Sequence, residues 1–241
     1  NFAIEESSNK NKIYQEHINL ITSINHPYKI AIKLSSFEFN IKIINKIIEN
    51  SSNKNIQVII DAEKNIDNDT YQTISNKLIL KHNKYNSNVV KTYQMYRKDS
   101  LQILKNDLLF FKKNNIYLGT KLVRGAYWNT ENNQGHLYQH KYETDINYNQ
   151  GIIYLSENYN KNYNMLATHN KESINLGNTL NKYNNNQIFD FAHLLDMGEN
   201  NYKNINKNSI HVYIPYGPYK EMIPYLMRRL YENIDTIKYM F

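Results

Sequence analysis

The chain of 241 residues is long enough for one large domain or two small ones, has no cysteine, and sets 29 lysines and arginines against 22 aspartates and glutamates for a formal charge of +7. The lack of cysteine excludes a disulfide scaffold, thiolate zinc, iron–sulfur clusters and a thiol nucleophile. At 41% hydrophobic residues it can bury a core, yet no run approaches the ~18 apolar residues of a membrane helix, and the modest positive balance suits anionic ligands or surfaces without implying nucleic acid.

The chain opens at Asn1 with neither an initiator methionine nor a signal-like start, which reads as a processed or trimmed end. Asn1–Ile4 fits a shortened first strand. Short apolar runs that end on a polar residue follow at Ile30–Leu34, Ile56–Ile60, Val89–Tyr93, Leu118–Val123, Met165–Ala167, Ile188–Ala192 and Ile210–Tyr213, and these read as strands. Between them, Ile43, Ile44, Ile47 and Ile48, then Leu101, Leu104, Leu108 and Phe111, recur at helical spacing and mark helices with one buried face. Asparagine-rich stretches such as Asn181–Asn186 and Asn200–Asn208 read as solvated loops. Strand and helix alternate throughout, which predicts an α/β fold with a parallel sheet. Eight such units close most economically into a (β/α)8 TIM-type barrel whose functional face is the C-terminal end of the strands, with an open doubly wound sheet as the alternative.

Each predicted strand ends on a group able to do chemistry: Lys33, Asp61, Gln94, Lys121 with Arg124, Thr168 with His169, His193, and Tyr213. Polar residues also simply mark where strands stop, but in a barrel these ends converge on one mouth. No GxGxxG and no P-loop occurs among 7 glycines, so a nucleotide would need another architecture. Gly125 after Arg124 lets a backbone approach a planar or phosphorylated ligand, or serves an ordinary turn. His136 and His140 stand at i, i+4 but lack the carboxylate a zincin needs, and no GxSxG is present, so metal and serine-hydrolase chemistry have little support. In Tyr213-Ile-Pro-Tyr-Gly-Pro-Tyr through Arg228-Arg-Leu-Tyr-Glu-Asn, a rigid turn feeds a helix. On it Glu232 can hold both Arg228 and Arg229 and aim their free donors at a small acid, or form a solvated salt bridge.

These segments resemble the proline dehydrogenase family over nearly the whole chain. The resemblance rests on Ala31-Ile-Lys-Leu-Ser, Asp61-Ala-Glu, Thr92-Tyr-Gln-Met-Tyr, Lys121-Leu-Val-Arg-Gly-Ala-Tyr-Trp, Ala167-Thr-His-Asn, Phe191-Ala-His-Leu-Leu-Asp-Met and the Tyr213-to-Asn233 region, in the family's order. The Lys-Leu-Val-Arg-Gly-Ala-Tyr pattern is most similar to the eukaryotic mitochondrial branch. The resemblance implies one distorted (β/α)8 catalytic domain over residues 1–241, its last helix over the C-terminal mouth, that binds FAD and oxidises L-proline to 1-pyrroline-5-carboxylate. It also implies a quinone acceptor, contact with a membrane surface, and the matrix side of the mitochondrial inner membrane. Carried over by motif, Ala62, Gln94, Lys121, Arg124, Gly125, Ala126, Thr168 and His169 would line the flavin. Lys33, Leu194, Tyr213, Arg228, Arg229 and Glu232 would take the substrate, with Asp61 orienting Lys33, and Lys33, Asp61 and Lys121 forming the catalytic set. Glu5 and Glu6 resemble an acidic gate over the arginines. The chain departs from the family at His193 and Asp196, where Gln and Gly are usual. A related barrel acting on hydroxyproline, or a non-catalytic binding module on the same fold, are the alternatives.

Overall fold

The computed structural model describes residues 10–24, 28–159, 162–195, 197–217, 223 and 227. The predicted first strand at Asn1–Ile4, the acidic Glu5 and Glu6, Asp196, and the Arg228, Arg229 and Glu232 cluster with its covering helix lie outside the described residues.

Helix α1 (Lys10–Ser23) precedes a repeating strand-then-helix path: β1 (Lys29–Ile32), α2 (Ile41–Ser52), β2 (Gln57–Ile60), α3 (Asn68–His82), β3 (Val89–Gln94), α4 (Ser100–Lys113) and β4 (Gly119–Val123). A single-turn helix α5 (Trp128–Glu131) and α6 (Lys141–Glu157) lead to β5 (Tyr163–Ala167), α7 (Lys171–Tyr183), β6 (Phe189–Leu194) and β7 (Ile210–Tyr213). All seven runs predicted as strands are strands, and the stripes on α2 and α4 bury Ile44, Ile47 and Ile48, and Leu104, Leu108 and Phe111.

Every neighbouring pair is parallel and the sheet order is β1-β2-β3-β4-β5-β6-β7. A doubly wound sheet reverses its order at a switch point, and this one never does. Side chains on the concave face reach across the arc: the Tyr213 hydroxyl of β7 donates to Asp61 beyond β2 at 2.9 Å, and Lys29 of β1 lies 4.9 Å from the Tyr163 ring centroid of β5. The fold is therefore the curled α/β sheet of a TIM-type barrel. Its interior cluster is thin, with Ala31, Ile59, Val90, Met165 and Ala192 from five strands. The larger core lies between sheet and helices, where isoleucines, leucines and aromatics from α1 to α7 pack on the outer faces of the strands. Burying apolar area at about 25 cal/mol per Å² makes this outer layer the main source of stability.

Some polar side chains serve the fold itself. Asn83 donates to the carbonyls of Val89 and Tyr117 and accepts from Val89 N–H, all at 2.8 Å. Asn181, read as loop, lies in α7 and closes the turn into β6 through Ile188 N–H, Phe189 N–H and Phe189 O. Each does for the backbone what a ladder bond would do, because a buried peptide group left unpaired is costly. Lys91 on β3 is fully buried, donating to Asp107 Oδ2 at 2.6 Å and to Asn76 Oδ1 at 2.7 Å, while the Tyr93 hydroxyl donates to the same Asp107 oxygen at 2.8 Å. Removing one partner of such a pair strands the other charge in the core. Lys91→Met should cost about 3–5 kcal/mol in urea unfolding, and Lys91→Met with Asp107→Leu should recover a good part of it. A single-variant loss below about 1 kcal/mol would show the pair to be solvated.

Candidate active site

The C-terminal ends of the strands open onto a cavity of about 1050 Å³. Strand periodicity builds its wall, since residues two apart face the same side: Ala31 and Lys33 from β1, Ile59 and Asp61 from β2, Thr92 and Gln94 from β3, Lys121 and Val123 from β4, Met165 and Ala167 from β5, Ala192 and Leu194 from β6. Ala62, Arg124, Gly125, Ala126, Thr168, His169 and Tyr213 complete the list of expected residues that reach it. The structure thus brings together every sequence-predicted site residue within the described residues.

At its centre Lys121 Nζ donates to Asp61 Oδ1 at 2.7 Å, and Tyr213 OH donates to Asp61 Oδ2 at 2.9 Å. Lys121 and Asp61 keep only 8% and 13% of their side-chain surface. Burial pushes the Asp61 carboxyl up, but the Lys121 charge and hydrogen bond, the Tyr213 hydroxyl and the Lys33 charge outweigh it and hold the group below the usual aspartate range. Lys33 also acts on Asp61. Both carboxylate oxygens are bonded to Lys121 and Tyr213, and Lys33 adds a nearby charge while its ammonium sits 5.9 Å from the Tyr127 ring centroid.

Arg124 stands apart from this centre, between the sheet and the helices. Its Nε donates to Asp145 Oδ1 at 2.6 Å, its two terminal nitrogens donate to Thr168 Oγ1 and, at 3.1 Å, Ser173 Oγ, and the guanidinium lies 4.5 Å from the Tyr148 ring centroid. Burial raises the Asp145 carboxyl, yet hydrogen bonds from Lys141 and Arg124 bring it below its usual value. The Tyr202 hydroxyl donates to the Thr168 carbonyl, and its ring stacks on His193 at 4.9 Å. Burial and the neighbouring His193 lower the His169 pKa, favouring the neutral ring. Gln94 is fixed by donating Nε2 to Glu63 O at 2.9 Å. Gly125 has φ +135°, and a Cβ there would come within 2.6 Å of the Tyr96 ring, so only glycine fits this turn beside the cavity.

Sequence reasoning missed Asp145, Ser173, Tyr202, Tyr127 and Glu63, which support the expected residues from other segments. The His136 and His140 pair does not form one helical face: His136 Nε2 lies 3.5 Å from Glu131, whereas His140 caps α6 reciprocally with Glu143. Among the described residues no group of three potential ligands could hold a metal.

A folded pKa below the unfolded one means the Asp61 pair contributes its stability above the ordinary aspartate value of about 3.9 and loses it as pH falls through the lower folded value. The stability gap between wild type and Asp61→Asn should stay constant from about pH 7 to 5 and close below about pH 4. A gap independent of pH throughout that acid range would contradict the ion pair.

A family model described as proline dehydrogenase matches residues 3–240. The chain is 30% identical over 209 residues to proline dehydrogenase 1, mitochondrial, of Dictyostelium discoideum, covering 79% of this chain and 36% of that protein. It is 28% identical over 250 residues to the probable mitochondrial proline dehydrogenase of Schizosaccharomyces pombe, covering 91% of this chain and 51% of the relative. Hydroxyproline dehydrogenase of Xenopus laevis is 26% identical over 216 residues, covering 83% of this chain and 46% of its own length. The chain thus spans between about a third and a half of these relatives. Among solved structures, proline utilization A from Bdellovibrio bacteriovorus shares the fold with a TM-score of 0.84 at 20% identity, over 93% of this chain and 28% of that one.

Proposed function

Because the chain belongs to the proline dehydrogenase family, we propose that it oxidises L-proline to 1-pyrroline-5-carboxylate as a single catalytic domain over residues 1–241. FAD, when bound, supplies the acceptor for the hydride that leaves the proline ring, and a quinone afterwards takes the electrons. The observation that carries this reading is the lining of the cavity at the strand ends, where Lys33 and Lys121 stand with the donors of Gln94 and Thr168 among apolar and aromatic walls, beside the Asp61 carboxylate. Cations and donors set in such walls suit a ligand with a flat ring system and phosphates, and a substrate carboxylate. The donors also fit: Lys121, Arg124, Thr168 and the Gln94 amide border the cavity, and the Gly125 backbone leaves room for close approach. Ala62, Ala126 and His169 would join these residues in holding the cofactor.

The protein's own part is orientation and charge. Asp61 fixes the Lys121 ammonium and the Tyr213 phenol before any ligand arrives, so the cation needs no reorganisation when negative charge develops beside it. Tyr213 and Leu194 would pack against the proline ring with Lys33 at its flank. Arg228 and Arg229, steadied by Glu232, would clamp the carboxylate and set C5 toward the acceptor. The substrate reacts as the free amine, and the iminium nitrogen left after hydride loss gives its proton to solvent to form the imine.

Relatives named as mitochondrial support a mitochondrial location, and we place the protein on the matrix side of the inner membrane. Among the described residues no helix is long and apolar enough to cross a membrane, and a charge of +7 would favour docking on anionic lipid instead.

Anaerobic addition of L-proline to the FAD-loaded chain should bleach the flavin absorbance, and D-proline should not. Bleaching by hydroxyproline but not by proline would favour the hydroxyproline reading, and flavin inert to both would overturn the function. Arg228→Ala or Arg229→Ala should weaken transition-state binding by about 2–5 kcal/mol, mostly as a raised KM for proline. Unchanged kinetics in both would remove the clamp.

A further inference from the structure

Glu63 lies three residues beyond β2 and is 4% exposed, a place where a carboxylate is expensive. Its Oε1 accepts from Ser35 N–H at 3.0 Å, its Oε2 accepts from Ser35 Oγ at 2.9 Å, and its backbone carbonyl accepts from Gln94 Nε2 at 2.9 Å. Ser35 stands two residues after Lys33, and the intervening Leu34 is fully buried, so the loop leaving β1 is held on both sides of that lysine. Gln94 is the last residue of β3. One side chain and its own carbonyl therefore tie together the exits of three consecutive strands, and the residue immediately before Glu63, Ala62, lines the cavity. Burial raises the Glu63 pKa, opposed by the two Ser35 hydrogen bonds and the Lys33 charge. A hydrophobic side chain would cap the same space at less cost, but it could not accept either bond.

We propose that Glu63 is a positioning residue that sets Lys33 and Gln94 in register with one another across the mouth. The inference rests on the function proposed above, in which Lys33 flanks the substrate and Gln94 the cofactor. It assigns Glu63 no contact with either ligand. The acid acts through Ser35 on one strand exit and through its own backbone on the next.

The test uses the full FAD-loaded chain and anaerobic and steady-state kinetics with L-proline. A wild type that binds no flavin, or whose flavin ignores proline, overturns the proposed function and this inference with it. With an active wild type, Glu63→Ala, which removes the Ser35 bonds but keeps the carbonyl that Gln94 donates to, should lower kcat/KM about tenfold or more. Glu63→Gln can still accept from Ser35 N–H and donate to Ser35 Oγ, and should stay within about threefold of wild type. In a Lys33→Ala background the added Glu63→Ala change should cost less than about threefold, because residues acting as one unit do not add. A Glu63→Ala enzyme within about twofold of wild type, or a full multiplicative loss in the Lys33→Ala background, would overturn the positioning role while leaving the proposed function standing. If Glu63→Ala does not fold, Ser35→Ala decides: a loss of about threefold or more in kcat/KM at an unchanged thermal midpoint supports the role, and unchanged kcat/KM overturns it.

Discussion

The site is organised by one carboxylate that stays ionised inside the barrel. Asp61 is held in its charged form in that setting because Lys121 and Tyr213 satisfy both of its oxygens and Lys33 adds a nearby positive charge. The pair ties β2, β4 and β7 together through the middle of the sheet, and fixes a cation and a phenol where ligands would meet them. Buried ion pairs add little to stability compared with apolar packing, but they impose a single geometry on the groups that form them. The weight of the fold is carried elsewhere, by the layer between sheet and helices, which frees the sparsely packed interior for polar work.

Around this centre the remaining polar residues divide by depth. Arg124 is held by Asp145, Thr168 and Ser173, and belongs to the seam between the strand ends and α6 and α7. Lys121 belongs to the barrel interior. Both cations of the Lys-Leu-Val-Arg segment border the cavity, but their anchors differ: Asp61 holds Lys121, and Asp145 of α6 holds Arg124. Tyr202 links the ends of β5 and β6 from outside, and Glu63 links the exits of β1, β2 and β3. Strand ends meet at the mouth because the barrel brings them there, but these long-range bonds set their relative heights.

Much of the architecture was legible in the sequence because its signals are local. Seven apolar runs bounded by polar residues became seven strands, and the isoleucine and leucine stripes became buried helix faces. Period-two facing also converged the expected residues on one cavity. The pairing of charges was not legible: Asp61 meets partners 60 and 152 residues away, and nothing local distinguishes Lys121 from Lys33 as the lysine it holds. Nor does the sequence mark Lys91, Asp107 and Glu63 as buried, since charged side chains seldom are. Their burial follows from which face of β3, which face of α4 or which loop they occupy in the curled sheet and its helical layer. Asn83 and Asn181 were hidden in the same way by an asparagine-rich background.

We propose that Asp61 and Lys121 act as one unit in holding the site ready for reaction. The most direct measurement is the rate of flavin reduction by saturating L-proline, followed anaerobically in the FAD-loaded wild type, Lys121→Met, Asp61→Asn and the double variant. If the pair works as described, each single change slows reduction and the double variant is no slower than the slower single one, since either change already dismantles the unit. Losses that multiply in the double variant would mean that the two residues contribute separately, and would contradict the account.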